Sequence, residues 1–281
     1  MLPLWCDELS VEMTPEKLVL VRFGWKFGGR GLVKYIAEKS VVDCQPAKNG
    51  EPSWTAAINT IKAVLPDLAL HKSVASLILS NHFVHYTLVP WSDTLNSAAE
   101  EQAYARHCFK QLYGADADNW ELRLSPDRVE QPQIASAVDK QLLASLHDAF
   151  AQNGIKIKSI KPRLMAAYNN CRHALNSSSG WFALYEAGSL CLGLLNDGNW
   201  RSVRTIRTGQ DWRNTLLLLL ERESFLSESA LESNTVYLWA PELDSAALPK
   251  YDNWQIHILN PEVQPAFVQE YEGRFALAMG R

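Results

Sequence analysis

The histidines, glycines, serines and cysteines of this 281-residue chain are where chemistry would first be sought. His82 and His85 stand three apart in Asn81-His82-Phe83-Val84-His85, a spacing that invites a metal pair. On a strand, however, positions an odd number apart face opposite sides, which makes joint ligation awkward. No third ligand lies nearby in sequence, so the two read as surface or capping residues. Gly28-Gly29-Arg30-Gly31 has the composition of a phosphate cradle, but no helix start follows it, and it reads as a hairpin turn. Ser177-Ser178-Ser179 lies in linker-like sequence, and no Gly-x-Ser-x-Gly elbow occurs. Glu100 and Glu101 with Arg106 and His107 suit a solvated helix face. Cys6, Cys44, Cys108, Cys171 and Cys191 lie far apart without C-x-x-C spacing. They read as free thiols of a reducing compartment rather than a disulfide framework.

Composition excludes several classes. The chain is 47% hydrophobic and 21% charged, with 14 Gly and 13 Pro, which excludes a disordered chain and a collagen. At roughly 100–200 residues per domain, its length predicts one large or two ordinary domains. A formal charge of −4 argues against a nucleic-acid binder held by phosphate attraction. Met1 to Glu8 has no basic lead and no long apolar stretch, so no signal peptide is expected. The run Leu216 to Leu220 is far too short to span a bilayer. The expected compartment is the cytoplasm.

Around these residues the pattern predicts alternating strands and helices. Residues 1–16 read as a mixed lead-in, Lys17 to Phe23 as a strand, and Leu32 to Val42 as its returning partner. Ser53 is the expected cap of a helix from Trp54 that Pro66 ends. Val74–Ser80 and Phe83–Val89 read as strands, and Ala98–Tyr113 as an amphipathic helix that Gly114 stops. Trp120–Leu124 and Ile134–Val138 are strands, Asp139 caps a helix to about Asn153, Ile155–Ile160 is a strand, and Arg163–Leu175 is a helix. Asn176 to Gly180 has linker composition. Beyond it come strands Trp181–Tyr185, Leu190–Leu195 and Trp200–Ile206, with a tight turn at Asn196–Asn199. A helix then runs to Leu226, followed by strands Thr235–Trp239 and Gln255–Leu259 with a helical or looped segment Pro241–Leu248 between them. The whole predicts two α/β lobes of similar plan, 1–176 and 177–281.

This plan resembles the actin-like ATPase fold, a duplicated ribonuclease H-like architecture. Trp181 to Ser189 resembles the start of its second lobe, where a strand ends in Asp-x-Gly. Asn196–Trp200 followed by Arg204–Gly209 resembles the hairpin and exit loop of the pilus-assembly branch. Asp148–Ile155, Ile160–Tyr168 and Phe275–Gly280 are similar to further segments of that branch. In order and spacing the chain resembles the PilM type of actin-like protein in type IV pilus assembly. The cytoplasmic domains of GspL (type II secretion) and MshI (mannose-sensitive pilus biogenesis) are cousins. The resemblance implies a cytoplasmic scaffold whose partner is the short tail of an inner-membrane protein of PilN type, held in a groove of the first lobe. Membrane association would then come through that partner.

Nucleotide binding in this fold needs backbone N–H groups in two glycine-bearing hairpin turns, a carboxylate for the waters of Mg²⁺, and a glycine turn against adenine. Val21-Arg22-Phe23-Gly24-Trp25, read as the first of these turns, offers a cation and an indole where an acid is needed. Ala240-Pro241-Glu242-Leu243 stands where the family places glycines, and proline removes a donor. Glu186, Gly188 and Ser189, with Gly209, are the residues able to touch phosphate or metal. The expectation is a non-catalytic scaffold with a degenerate site and no cofactor. The alternative is a working ATPase or small-molecule kinase using ATP with Mg through Glu186 and Ser189. Ten tryptophans read mostly as rings plugging sheet rims. Phe83, His85, Tyr86 and Trp91 are the candidate partner contacts.

Overall fold

Leu9, Val11 and Met13 alternate with Glu8, Ser10 and Glu12, and in the computed structural model this run is a strand, β1 (Glu8–Met13). The structure describes residues 6–28, 31–47, 50–68, 70, 73–125, 130–209, 211–226, 234–241, 253–262, 267, 269 and 271–280. β1 corrects the reading of residues 1–16 as a lead-in. Two carboxylates and a serine among six residues hide a strand whose polar face is tolerable only when partnered inside the fold.

β1 pairs antiparallel with β2 (Lys17–Gly28), and β2 antiparallel with β3 (Gly31–Asp43), Gly28 opposite Gly31. Next comes α1 (Thr55–Val64), which buries Ile58 and Ile61. Its cap position is Trp54 without a side-chain bond, because a turn from Pro52 to Thr55 starts the helix beyond Ser53. β4 (Val74–Leu79) lies parallel to β1.

The chain then leaves this sheet through β5 (Val84–Val89). α2 (Ala98–Tyr113) is capped by the Ser97 hydroxyl, which accepts from the Glu100 N–H, and ends at Gly114 with φ 69°. β6 (Trp120–Leu124) and β7 (Gln133–Asp139) join β5 in a three-stranded sheet ordered β5-β7-β6. Val89, Phe109, Leu122 and Ala135 form the core between this sheet and α2. Asp139 caps α3 (Lys140–Gln152) as expected, accepting from the Gln141 N–H at 2.6 Å. β8 (Lys156–Pro162) then pairs parallel with β4 and completes a sheet ordered β3-β2-β1-β4-β8. The helix expected over 163–175 is two pieces, α4 (Arg163–Asn170) and α5 (Arg172–Leu175).

The second half repeats the plan. β9 (Gly180–Glu186), β10 (Ser189–Asn196) and β11 (Asn199–Arg207) form an antiparallel meander. Its Asp197-Gly198 turn uses φ 51° and 75°, the left-handed pair that a two-residue hairpin requires. α6 (Trp212–Leu226) follows, then β12 (Thr235–Trp239) and β13 (Gln255–Ile258), both added in parallel, giving the order β11-β10-β9-β12-β13. Leu192, Leu216, Leu220 and Leu238 lie in its core. Most of the expected segment Pro241–Leu248 lies outside the described residues. The chain closes with α7 (Ala276–Met279).

By compactness the chain groups into Met1–Val84, Val138–Asn170 and Pro261–Arg281 as one unit, and His85–Ala137 with Cys171–Asn260 as the other. This grouping differs from a division at 176/177 in residues 85–137, 171–176 and 261–281. The closing segment belongs with the first sheet because Phe267, Phe275, Ala278 and Met279 pack on Val19, Val21 and Phe23.

Candidate functional site

The first hairpin is Thr14-Pro15-Glu16, between β1 and β2, and not the Gly24 region. Thr14 closes it twice: its N–H donates to the Lys17 carbonyl at 3.0 Å, and its hydroxyl accepts from the Lys17 N–H at 3.0 Å. Pro15 has no N–H to offer. Two residues before Thr14, Glu12 is 4% exposed and forms an ion pair with Arg163, itself 8% exposed at the start of α4. A carboxylate so buried is held by its guanidinium partner, since an unpaired charge there would be costly. In this turn the Thr14 N–H is used internally, Pro15 offers none, and the Glu12 carboxylate already faces a guanidinium.

The residues assigned to that role from the sequence sit elsewhere, because β2 continues straight through them. Arg22 pairs with Asp7 at 2.7 Å, and Trp25 lies in mid-strand opposite Lys34. Gly24 is small for a packing reason: a Cβ there would come within 2.9 Å of the Tyr35 ring. The misplacement follows directly from the unread β1, which shifts the first hairpin one strand earlier.

The second hairpin keeps its expected residues together. Glu186 and Ser189 are paired across the β9–β10 turn, both buried, with Gly188 at φ 75° in the left-handed region that glycine occupies without steric cost. The Thr208 N–H donates to the Gly188 carbonyl at 3.1 Å, so the strand end carrying Gly209 adjoins this turn. Two rungs further along the hairpin Cys191 is fully buried; burial pushes its thiol up to about 12, against a hydrogen bond from Thr205. In the third region Trp239 is fully buried and Ala240 nearly so, while Glu242 and Leu243 lie outside the described residues.

The four candidate partner contacts do not form one surface. Tyr86 is buried because β5 is covered on both faces, and Phe83, just before β5, is buried as well. His85 is half-buried, stacked on Trp120 at 4.0 Å and edge-on to Tyr113 at 5.0 Å. Burial lowers its pKa, and the charge of Asp116 opposes that shift. Only Trp91 among the four is exposed, at 44%, beside a cleft of about 60 Å³ that Val89, Leu95 and Leu124 help to line. Among the described residues, no group of three or more His, Cys, Asp or Glu is placed to hold a metal ion. Nor is any helix long and apolar enough to cross a membrane. Sequence reasoning missed Glu12, Thr14 and Arg163; the alternation of Leu9, Val11 and Met13 was the signal that would have found them.

Two five-stranded sheets of matching order, each a meander extended by parallel strands, define an actin-like α/β protein. No family model and no curated protein matches the chain. Solved structures do. The chain is similar to a structure described as the PilM-PilN type IV pilus biogenesis complex, at 17% identity and TM-score 0.55, over 83% of this chain and 80% of that one. It is similar to the cytoplasmic domain of EpsL, an inner-membrane component of the type II secretion system of Vibrio cholerae, at 12% identity and TM-score 0.54, over 90% of both chains. A Bacteroides thetaiotaomicron protein with an actin-like ATPase fold and unknown function matches at 10% identity and TM-score 0.53, over 85% and 83%. The actin-like ATPase fold expected from the sequence is thus the fold of this chain.

Proposed function

We propose that this protein is a non-catalytic scaffold of a type IV pilus or type II secretion-like assembly platform, with a degenerate nucleotide site. The observation that carries the reading is the first hairpin, closed by Thr14 and Pro15, with Glu12 already paired to Arg163. The likeness to PilM in complex with PilN and to the EpsL cytoplasmic domain supports the assembly role. In this reading the chain works in the cytoplasm as two lobes, 1–176 and 177–281, and reaches the inner membrane by holding the tail of a PilN-type protein. Trp91 and its cleft are its contact for that tail, since a large exposed aromatic beside a pocket is the usual form of a binding hot spot.

The test is thermal unfolding of the purified chain titrated with Mg·ATP. A ligand bound to the native state raises the melting temperature by linkage, so an unchanged midpoint is expected and a saturable rise overturns the degenerate-site reading. The second reading, an ATPase acting through Glu186 and Ser189, is favoured by the intact left-handed glycine at Gly188. The same titration decides between them, with Glu186→Gln abolishing any rise that the second reading produces.

A further inference from the structure

The first sheet carries a cavity of mixed polar and apolar lining that the nucleotide and partner readings do not use. It measures about 430 Å³ and lies over the β1-β4-β8 face that α4 and α7 adjoin. That volume falls within the range of small-molecule sites. Ser10, Ser76 and Ser159 stand in register on three adjacent strands, and the Ser159 hydroxyl lies 3.2 Å from that of Ser76. Strand alternation puts Ser10 on the same face as Glu8 and Glu12. Ser10 is 8% exposed and has no hydrogen-bond partner among the described residues, so a buried hydroxyl faces the cavity unused.

The charges around this floor are unbalanced. Lys34 is held at one side by Glu8 at 2.6 Å and by the face of Phe23 at 4.3 Å. On the opposite side Lys158 and Lys161 line the cavity, with no carboxylate partner among the described residues. Lys158 is there because of a β-bulge: Ala75 pairs with Ile157 and Ser76 with Ser159, so Lys158 is the extra residue. Bulges of this kind re-aim a side chain that a regular strand would turn away. Asn169 adds an amide from α4, whereas the Asn170 amide is engaged by the Glu262 backbone, and Gly280 lies so close that a Cβ there would overlap the Asn170 side chain.

We propose that this cavity binds a small anionic ligand through a carboxylate or phosphate group. The ammonium groups of Lys158 and Lys161 supply the charge, and the Ser10 and Ser76 hydroxyls supply hydrogen bonds at the floor. A charge-assisted site of this kind prefers an oxyanion over a neutral ligand. The cavity begins at Glu8 and Val74, the starts of β1 and β4, whereas the Thr14 hairpin follows the end of β1. The cavity is therefore separate from the hairpin on which the degenerate-site reading rests.

The test measures the unfolding midpoint of the whole chain in citrate and in inorganic phosphate, each against sodium chloride of equal ionic strength. A saturable rise with at least one anion is expected, and the lower half-saturation concentration tells carboxylate from phosphate recognition. Lys158→Met with Lys161→Met changes two exposed side chains, so it keeps the anion-free midpoint and raises half-saturation at least tenfold. Ser10→Val raises it roughly five- to tenfold, as the loss of one hydrogen bond predicts. The proposal falls if neither anion shifts the midpoint at matched ionic strength, or if the double lysine variant responds as the parent does.

Discussion

The hairpin after β1 and the hairpin after β9 occupy corresponding places in two sheets of the same strand order, yet they are built differently. Each follows a buried glutamate by two residues: Glu12 before Thr14, and Glu186 before Gly188. At the first, a hydroxyl and a proline close the turn, and a guanidinium neutralises the acid. At the second, glycine at φ 75° turns the chain with no side chain in the way. One scaffold therefore presents two unlike turns, and the difference lies in four or five side chains rather than in topology.

The comparison can be broken most forcefully at Arg163. Arg163→Met strands a buried carboxylate and should cost about 3–5 kcal/mol of stability in urea unfolding. Replacing both partners, Glu12→Leu with Arg163→Met, should recover most of that loss; a double variant as unstable as the single one would show that the pair is not the reason for the effect. At the other hairpin, Gly188→Ala forces a left-handed backbone on a residue with a Cβ and should cost roughly 1–2 kcal/mol. An unchanged urea midpoint would mean that the second turn does not depend on its glycine. Thr14→Ala removes the hydroxyl that closes the first turn, and a loss of about 1 kcal/mol is expected, with Thr14→Ser retaining most of the stability.

The smallest effect concerns pH. Burial lowers the His85 pKa in the folded chain, so in acid the unfolded chain binds the proton more readily. Stability is then complete above the unfolded value of about 6.5 and declines as pH falls through it towards the lower folded value. Midpoints measured across this window should show a slope in the parent that His85→Phe flattens. An equal slope in both would assign the acid sensitivity to other groups.

Much of this protein was legible because periodicity is a local signal. Ser97 and Gly114 bracket α2 where the capping rules place them, and Asp197-Gly198 marks its hairpin unaided. β1 was not legible, since Glu8, Ser10 and Glu12 on one face look like surface until Arg163 arrives from about 150 residues away. The error spread from there: Arg22, Gly24 and Trp25 were placed at the first hairpin, which Thr14 and Pro15 form. Tyr86 went astray for a related reason, because alternation along β5 cannot reveal that both faces are covered.

By itself the sequence determined the repeated α/β plan, the caps and tight turns, and the glycine of the second hairpin, all of which depend on residues within a few positions of one another. The tertiary structure alone decided which carboxylate is neutralised, which aromatic reaches solvent, and that three serines far apart in the chain stand side by side on neighbouring strands. Those outcomes rest on through-space pairing in a low-dielectric interior, where the cost of a buried charge or hydroxyl depends on partners that chain order does not reveal.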